Sequence, residues 1–203
     1  DETQMGTERG TALYISSGRN ANINNCTLRG VFYGIFVERS INVVIGGGTT
    51  AAATLEGRSG NDDPDTPCAG LYMPGNDRSS VTLNGGTFSG DKAAILIDSG
   101  SGSGSKTVGD LLGYKCAYFD GDGALITGKR GEYMLERAVT VKDCTHEEVS
   151  DNGDGTHNIN CDGCGIHQSD MPHAARNVYV VSEGNKSAEY TSSCQDCGAQ
   201  TDS

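Results

Sequence analysis

The chain has 203 residues, a formal net charge of −12, 30 glycines, four prolines, no tryptophan and 35% hydrophobic residues. That length allows one large domain, or a medium domain with a small one, and the acidity argues against nucleic acid or an anionic membrane as partner. The glycine-rich composition suits short strands and tight turns, and the low apolar content suits a repetitive fold with a thin core.

The charge is uneven. Residues 144–203 hold ten acidic groups against Arg176 and Lys186, a net −8, and the first 143 residues carry the remaining −4. A domain boundary is therefore expected near residue 143. No apolar run is long enough to span a bilayer and no signal peptide is visible. The chain starts abruptly on polar residues and stops soon after a Cys-x-x-Cys pair, so it reads as an excised piece, and any export signal or anchor would lie outside it.

From the N-terminus, three segments repeat one pattern: an apolar triplet, a polar turn, an alternating strand and a Thr-apolar-x-Gly close, which the second keeps only in part. They are Leu13-Tyr14-Ile15 with Asn20 to Gly30, Ile35-Phe36-Val37 with Asn42 to Thr49, and Leu71-Tyr72-Met73 with Ser80 to Gly90. Ala94-Ile95-Leu96-Ile97 opens a fourth. Leu13 to Ile35 and Thr27 to Thr49 are both 22 residues, and Leu71 to Ile95 is 24. Between the second and third units the step grows to 36–38, with a polar excess around Arg58 to Pro67. This predicts a short right-handed parallel β-helix over residues 1–107, with a loop insertion around 50–68. Ile23, Ile45 and Leu83 would form one inward row, and Leu13, Ile35, Leu71 and Ile95 another. An antiparallel sandwich is the alternative.

Ser99 to Ser105 reads as a flexible polar loop. Residues 108–143 read as a capping segment, with a helical turn at 108–113, a hairpin turning at Asp120 to Gly123, and Val139-Thr140-Val141 as exit strand.

Residues 144–203 form the third region, a small Cys/His-rich module. It contains five of the eight cysteines and all four histidines. Cys144-x-His146 and Cys161-x-x-Cys164 supply three thiolates and one imidazole, a set that suits tetrahedral zinc. An acidic tail with few apolar residues gains from such a staple. His173, Cys194 and Cys197 form a second set one ligand short, unless His167 or a residue beyond Ser203 completes it. The two Cys-x-x-Cys pairs could instead form one all-thiolate ribbon, although the 29 residues between them make a long connection. Disulfides, which an oxidising compartment favours, or a metal-free state are the alternatives.

Cys144-Thr145-His146, then Asp151-Asn152-Gly153-Asp154-Gly155-Thr156-His157 and Cys161-x-x-Cys164-Gly165, resemble the C-x-H…NGDGTH…C-x-x-C-G repeats of large Gram-positive cell-surface proteins of Firmicutes type. Leu111-Leu112-Gly113-Tyr114 to Gly123, leading into Val139-Thr140-Val141, resembles the segment that joins a glycine-rich solenoid to those repeats. The resemblance covers roughly residues 80–200. It implies a modular, surface-exposed, extracellular protein and no activity. The second repeat departs from the pattern in having no Cys-x-His at its start.

Other motifs carry less. Asp151 to Gly155 would begin a calcium loop on Ser150 and end it on Cys161 instead of a glutamate, so a type I′ turn fits better, and Asp120 to Gly123 reads the same way. Cys26 stands where other units have Gly48 and Gly86, and reads as a small core residue. Cys68 and Cys116 have no evident role, and a disulfide among Cys26, Cys68 and Cys116 cannot be placed. Asp62, Asp63, Asp65 and Asp77, beside Asn61, Pro64 and Pro67, read as a solvated loop and not as a catalytic set. The expected function is a non-enzymatic structural or adhesive module presenting a β-helix face to glycans or surface proteins. The rivals are a fragment of a polysaccharide-active β-helix enzyme and a zinc-ribbon module that binds a protein partner.

Overall fold

The computed structural model describes residues 10–47, 52–58, 67–74, 78–98, 106–136, 138–146, 148–181, 188–194 and 196–202. The protein is all-β, with no α-helix among these residues. It divides into two compact units, Asp1–Thr145 and His146–Ser203, so the division runs through the Cys144-x-His146 pair.

In the N-terminal unit the strands come in sets of three. The first set is β1 (Thr11–Ser16), β2 (Asn22–Ile23) and β3 (Thr27–Gly30). The second is β4 (Tyr33–Glu38), β5 (Val43–Ile45) and β6 (Thr54–Gly57). The third is β7 (Ala69–Met73), β8 (Val81–Leu83) and β9 (Gly86–Gly90), and β10 (Ala93–Ile97) follows. Like strands pair in parallel, giving the orders β1-β4-β7-β10, β2-β5-β8 and β3-β6-β9.

The pairing puts equivalent side chains in rows. Leu13, Ile35, Leu71 and Ile95 are successive partners, as are Ile23, Ile45 and Leu83, and Leu28, Leu55 and Phe88. Alternation along each strand sends these rows to one face. Ile35, Ile45, Leu55, Leu71, Leu83, Phe88 and Ile95 are fully buried there.

Two kinds of corner join the strands. After β1 and β4 the chain turns through left-handed backbone at Ser17 and Asn20, and again at Arg39 and Asn42. Asparagine enters that region at low cost, and here Asn42 Nδ2 donates to Asn20 Oδ1 at 2.8 Å. Buried Ser40 and Ser79 satisfy the inner backbone: Gly18 N donates to Ser40 Oγ at 3.0 Å, and Ser40 N to Ser79 Oγ at 2.8 Å. The corner out of each third strand is a glycine, and Gly30, Gly57 and Gly90 pair in register. Close approach is what demands it. A Cβ on Gly57 would lie 2.2 Å from the carbonyl oxygen of Ala69, and one on Gly90 2.3 Å from that of Ala93.

The parallel sheets end in other structure. β11 (Cys116–Phe119), β12 (Met134–Leu135) and β13 (Val139–Asp143) follow a 3-10 turn at Val108–Leu111. β12 pairs antiparallel with β10, and β13 lies between β9 and β11, antiparallel to both. Beside β8, Leu112 bridges Leu83 and Gly113 N donates to Leu83 O at 2.9 Å. At β8, β9 and β10 the capping segment thus meets all three sheets and pairs part of their edge groups.

Several sequence expectations change. Thr27 pairs with Thr54, and Thr54 with Thr87, so Thr49 is not the equivalent residue. Cys26 correspondingly stands over Ala53 and Gly86 and not over Gly48: Thr54 N donates to Cys26 O, and Thr87 N to Ala53 O. Gly48, Thr49, residues 59–66, Asp77 and residues 99–105 lie outside the described residues. The expected insertion at 50–68 is interrupted by β6, whose Thr-Leu-Glu-Gly repeats the Thr-Leu-Arg-Gly of β3. Val139 to Val141 is an interior pairing strand. Asp120 to Gly123 is a type I turn closed by left-handed Gly123, which donates to Asp120 O at 3.0 Å. A type I′ turn needs two successive positive φ values, and only Gly123 has one.

On the outer face of the first sheet, Tyr14, Phe36 and Tyr72 are paired in register. Their rings meet edge to face, with 4.9 Å between centroids at each step. At one end Glu38 accepts hydrogen bonds from Tyr14 OH, Ser16 Oγ and Arg39 Nη2.

The C-terminal unit is two successive three-stranded antiparallel sheets. The first is β14 (Glu148–Asp151), β15 (Thr156–Cys161) and β16 (Ile166–Pro172); the second is β17 (Ala175–Val181), β18 (Ala188–Cys194) and β19 (Gln200–Asp202). The β14–β15 loop is again not type I′, because its left-handed residues, Gly153 and Gly155, are not adjacent. Asp151 accepts from Gly153 N, and Asp154 from Thr156 N, each at 3.0 Å.

Two predictions follow from the N-terminal unit. Gly57→Ala should destabilise the protein by about 1–3 kcal/mol in denaturant unfolding, the range for overpacking. Gly121→Ala, with nothing within 4 Å of its Cβ, should be near neutral. The hydrogen bond from Tyr14, aided by Arg39 and Ser16 and opposed by burial, holds the Glu38 carboxyl below its ordinary 4.5. A depressed carboxyl contributes stability above its ordinary value and loses it as pH falls through its folded value. Glu38→Gln should therefore be less stable than wild type at pH 7, with the gap closing in unfolding curves taken below pH 4.5.

Candidate metal centres

Each sheet of the C-terminal unit contains the same tight turn between its second and third strands. Cys161 ends β15 and Cys194 ends β18. Gly165 N donates to Cys161 O at 2.8 Å, Gly198 N donates to Cys194 O at 3.0 Å, and both glycines have φ 72°. A left-handed residue closing a Cys-x-x-Cys-Gly turn brings both sulfurs to one side, which suits two ligands of one ion.

Two groups of four ligand atoms result, all lying within 4.8 Å of one another in each group. One is Cys144, His146, Cys161 and Cys164, and the other is His157, His173, Cys194 and Cys197. Either could hold a metal ion. A tetrahedral ion with bonds of about 2.3 Å to sulfur and about 2.0 Å to nitrogen separates the two ligand atoms by about 3.5 Å. Cys164 Sγ is 3.4 Å from His146 Nδ1, Cys197 Sγ is 3.6 Å from His173 Nε2, and Cys194 Sγ is 3.8 Å from His157 Nδ1. No disulfide joins any of the eight cysteines, all of which are among the described residues. The two Cys-x-x-Cys turns fall in different groups, so the single all-thiolate ribbon does not form.

The structure places the four residues of the first sequence-derived set together. For the second set it supplies a fourth ligand that the sequence reading missed. That ligand is His157, and not His167. His167 is half exposed and is engaged with Asn160 and Asp162. His157 is fully buried, and its Nε2 makes no hydrogen bond. Strand alternation held the signal: His157, Ile159 and Cys161 share the buried face of β15. Four residues of strand span about 13 Å, so His157 and Cys161 serve different centres.

Burial opposes ionisation of both thiols in the second turn. At Cys194 the backbone N–H groups of Cys197 and Asp196 outweigh burial and hold the thiol below its ordinary value. At Cys197 burial prevails and, with the neighbouring Cys194 and Asp151, pushes the thiol up.

No family model matches the chain, no curated protein matches it, and no solved structure matches it. Among the described residues no helix is long and apolar enough to cross a membrane.

The two histidines are separable by experiment. His157→Ala should cost the full chain one bound divalent ion in a cobalt titration, whereas His167→Ala should leave the number bound unchanged.

Proposed function

We propose that the chain is a non-catalytic module of an exported bacterial surface protein, combining a short right-handed parallel β-helix with a zinc-stapled spacer. The observation that carries this reading is the closed character of both ligand sets. Each has four protein ligands, three thiols with one imidazole or two with two. Structural zinc sites are closed in this way, whereas catalytic ones keep a position for water or substrate. Thiol-rich sets of this kind favour zinc over hard cations such as calcium.

The β-helix reading is supported by the three parallel sheets and their unbroken rows. Right-handedness is the expected sense, because parallel strands joined by crossovers take it almost without exception. The resemblance of residues 80–200 to Gram-positive surface-protein repeats supports an extracellular location.

The adhesive part of the reading rests on Tyr14, Phe36 and Tyr72. These half-buried aromatics form a row on the outside of the first sheet, with Glu38 at one end and Asp98 accepting from Tyr72 OH at 3.3 Å. Aromatic faces beside carboxylates suit a sugar, which presents C–H faces and hydroxyl groups, and also suit a protein surface. Asp62, Asp63, Asp65 and Asp77, the carboxylates of the enzyme alternative, lie outside the described residues.

Protein purified without chelator should contain two zinc ions per chain by elemental analysis, and EDTA should lower its melting temperature. A metal-free protein with cysteines oxidised in pairs would end the zinc reading. Tyr14→Ala with Tyr72→Ala should weaken binding at least tenfold on whichever polysaccharide a glycan array identifies. Depolymerisation of a polysaccharide by wild type, abolished in Asp63→Ala, would replace the adhesive reading with the enzymatic one.

A further inference from the structure

Asp196 lies inside the second Cys-x-x-Cys turn and faces an imidazole of each centre. Its Oδ2 is 3.5 Å from His157 Nε2, and its Oδ1 is 3.9 Å from His146 Nε2. All three side chains are withdrawn from solvent, His157 at 0% exposure, His146 at 5% and Asp196 at 11%. Both rings are oriented alike. Nδ1 faces a cysteine sulfur of its own group, Cys164 for His146 and Cys194 for His157, and Nε2 faces Asp196.

The geometry points to Asp196 as a positioning residue shared by the two metal centres, coupling metal binding at one to metal binding at the other. This rests on the zinc reading above. An ion on Nδ1 leaves the proton on Nε2, and that proton needs an acceptor in a dry site. Carboxylates commonly fill this place behind metal-bound histidines, fixing ring orientation and tautomer. Here one carboxylate has one oxygen for each of two rings. The 3.5 and 3.9 Å separations are slightly longer than hydrogen bonds, and a small turn of either ring would bring its Nε2 within hydrogen-bond reach of Asp196.

The backbone of Asp196 serves the second centre as well, because its N–H supports the Cys194 sulfur. With His146 held as a ligand, the Asp196 side chain would be held in turn and would orient His157 for the second centre. Linkage makes the effect reciprocal. His173 lies outside this relay: its Nε2 faces Cys197, with an Asp151 oxygen at 3.4 Å.

The test uses metal-free full-length chain titrated with Co2+, with Zn2+ competition for affinities and cadmium NMR giving one resonance per centre. Wild type should bind two ions. Asp196→Asn keeps one acceptor oxygen but turns an NH2 toward the other ring. It should weaken both centres by about 10- to 100-fold, the usual cost of losing such a partner, and shift both resonances. Asp196→Glu should restore most of the loss. His146→Cys keeps four ligands at the first centre while taking its imidazole off Asp196. It should shift the cadmium resonance of the second centre, and it tests the relay even where Asp196→Asn fails to fold. Loss confined to the second centre in Asp196→Asn, no loss at either centre, or an unmoved second resonance in His146→Cys would overturn the coupling. Wild type binding fewer than two ions would instead overturn the zinc reading itself.

Discussion

Every row in the N-terminal unit depends on one geometric constraint: the chain must return to the same register after each set of three strands. In a parallel stack a residue has its equivalent above and below, so a slip of one position would turn Ile35, Leu71 and Ile95 outward together. The corners enforce the return. At Gly57 and Gly90 the turning chain passes so close to the next strand's carbonyl that no side chain fits. At Asn20 and Asn42, left-handed residues bond to each other across successive sets. The second set is longer in sequence than the others on both sides of β6.

A parallel stack cannot end by itself, because its last strand offers unpaired N–H and C=O groups. The capping segment meets each sheet differently. β12 and β13 reverse direction to pair with β10 and β9, and the 3-10 turn lays Leu112 beside Leu83. Val108, Leu111, Tyr118, Leu135 and Val139 fill the same core as the rows. The fold that caps the stack is therefore continuous with its core, not an ornament on its surface.

The two inward rows containing Ile45 and Ile35 were legible because their apolar triplets and 22-residue spacing carry the register directly. The third row, Leu28, Leu55 and Phe88, was not read from the sequence, because Thr49 was matched to Thr27. Thr49 offered a shorter spacing than Thr54, and only the fuller match of Thr-Leu-Arg-Gly with Thr-Leu-Glu-Gly distinguishes them. Turn types were missed because they depend on which glycines take positive φ, a property of the folded backbone. The first ligand set was legible because each of its pairs is local in sequence. His157 was not, because it comes from one sheet's second strand to a centre whose cysteines lie in the other sheet. The absent Cys-x-His of the second repeat was the visible half of that arrangement, and the buried face of β15 was the other half.

The acidity of the C-terminal unit is largely distinct from the charge that a bound ion would bring. An ion of charge +2 on three thiolates and an imidazole leaves a formal −1, and on two thiolates and two imidazoles it leaves zero. Metal binding therefore does little to neutralise a segment whose net charge is −8. Among the carboxylates, Asp196 and Asp151 face the ligand histidines, while exposed Asp151 and Asp154 also hold the β14–β15 loop through backbone N–H groups. Closed, nearly neutral centres, once filled, would hold the small unit together without neutralising its acidic residues, which separates cohesion from solubility. Filled centres of this kind would lessen the unit's need for a large apolar face of its own.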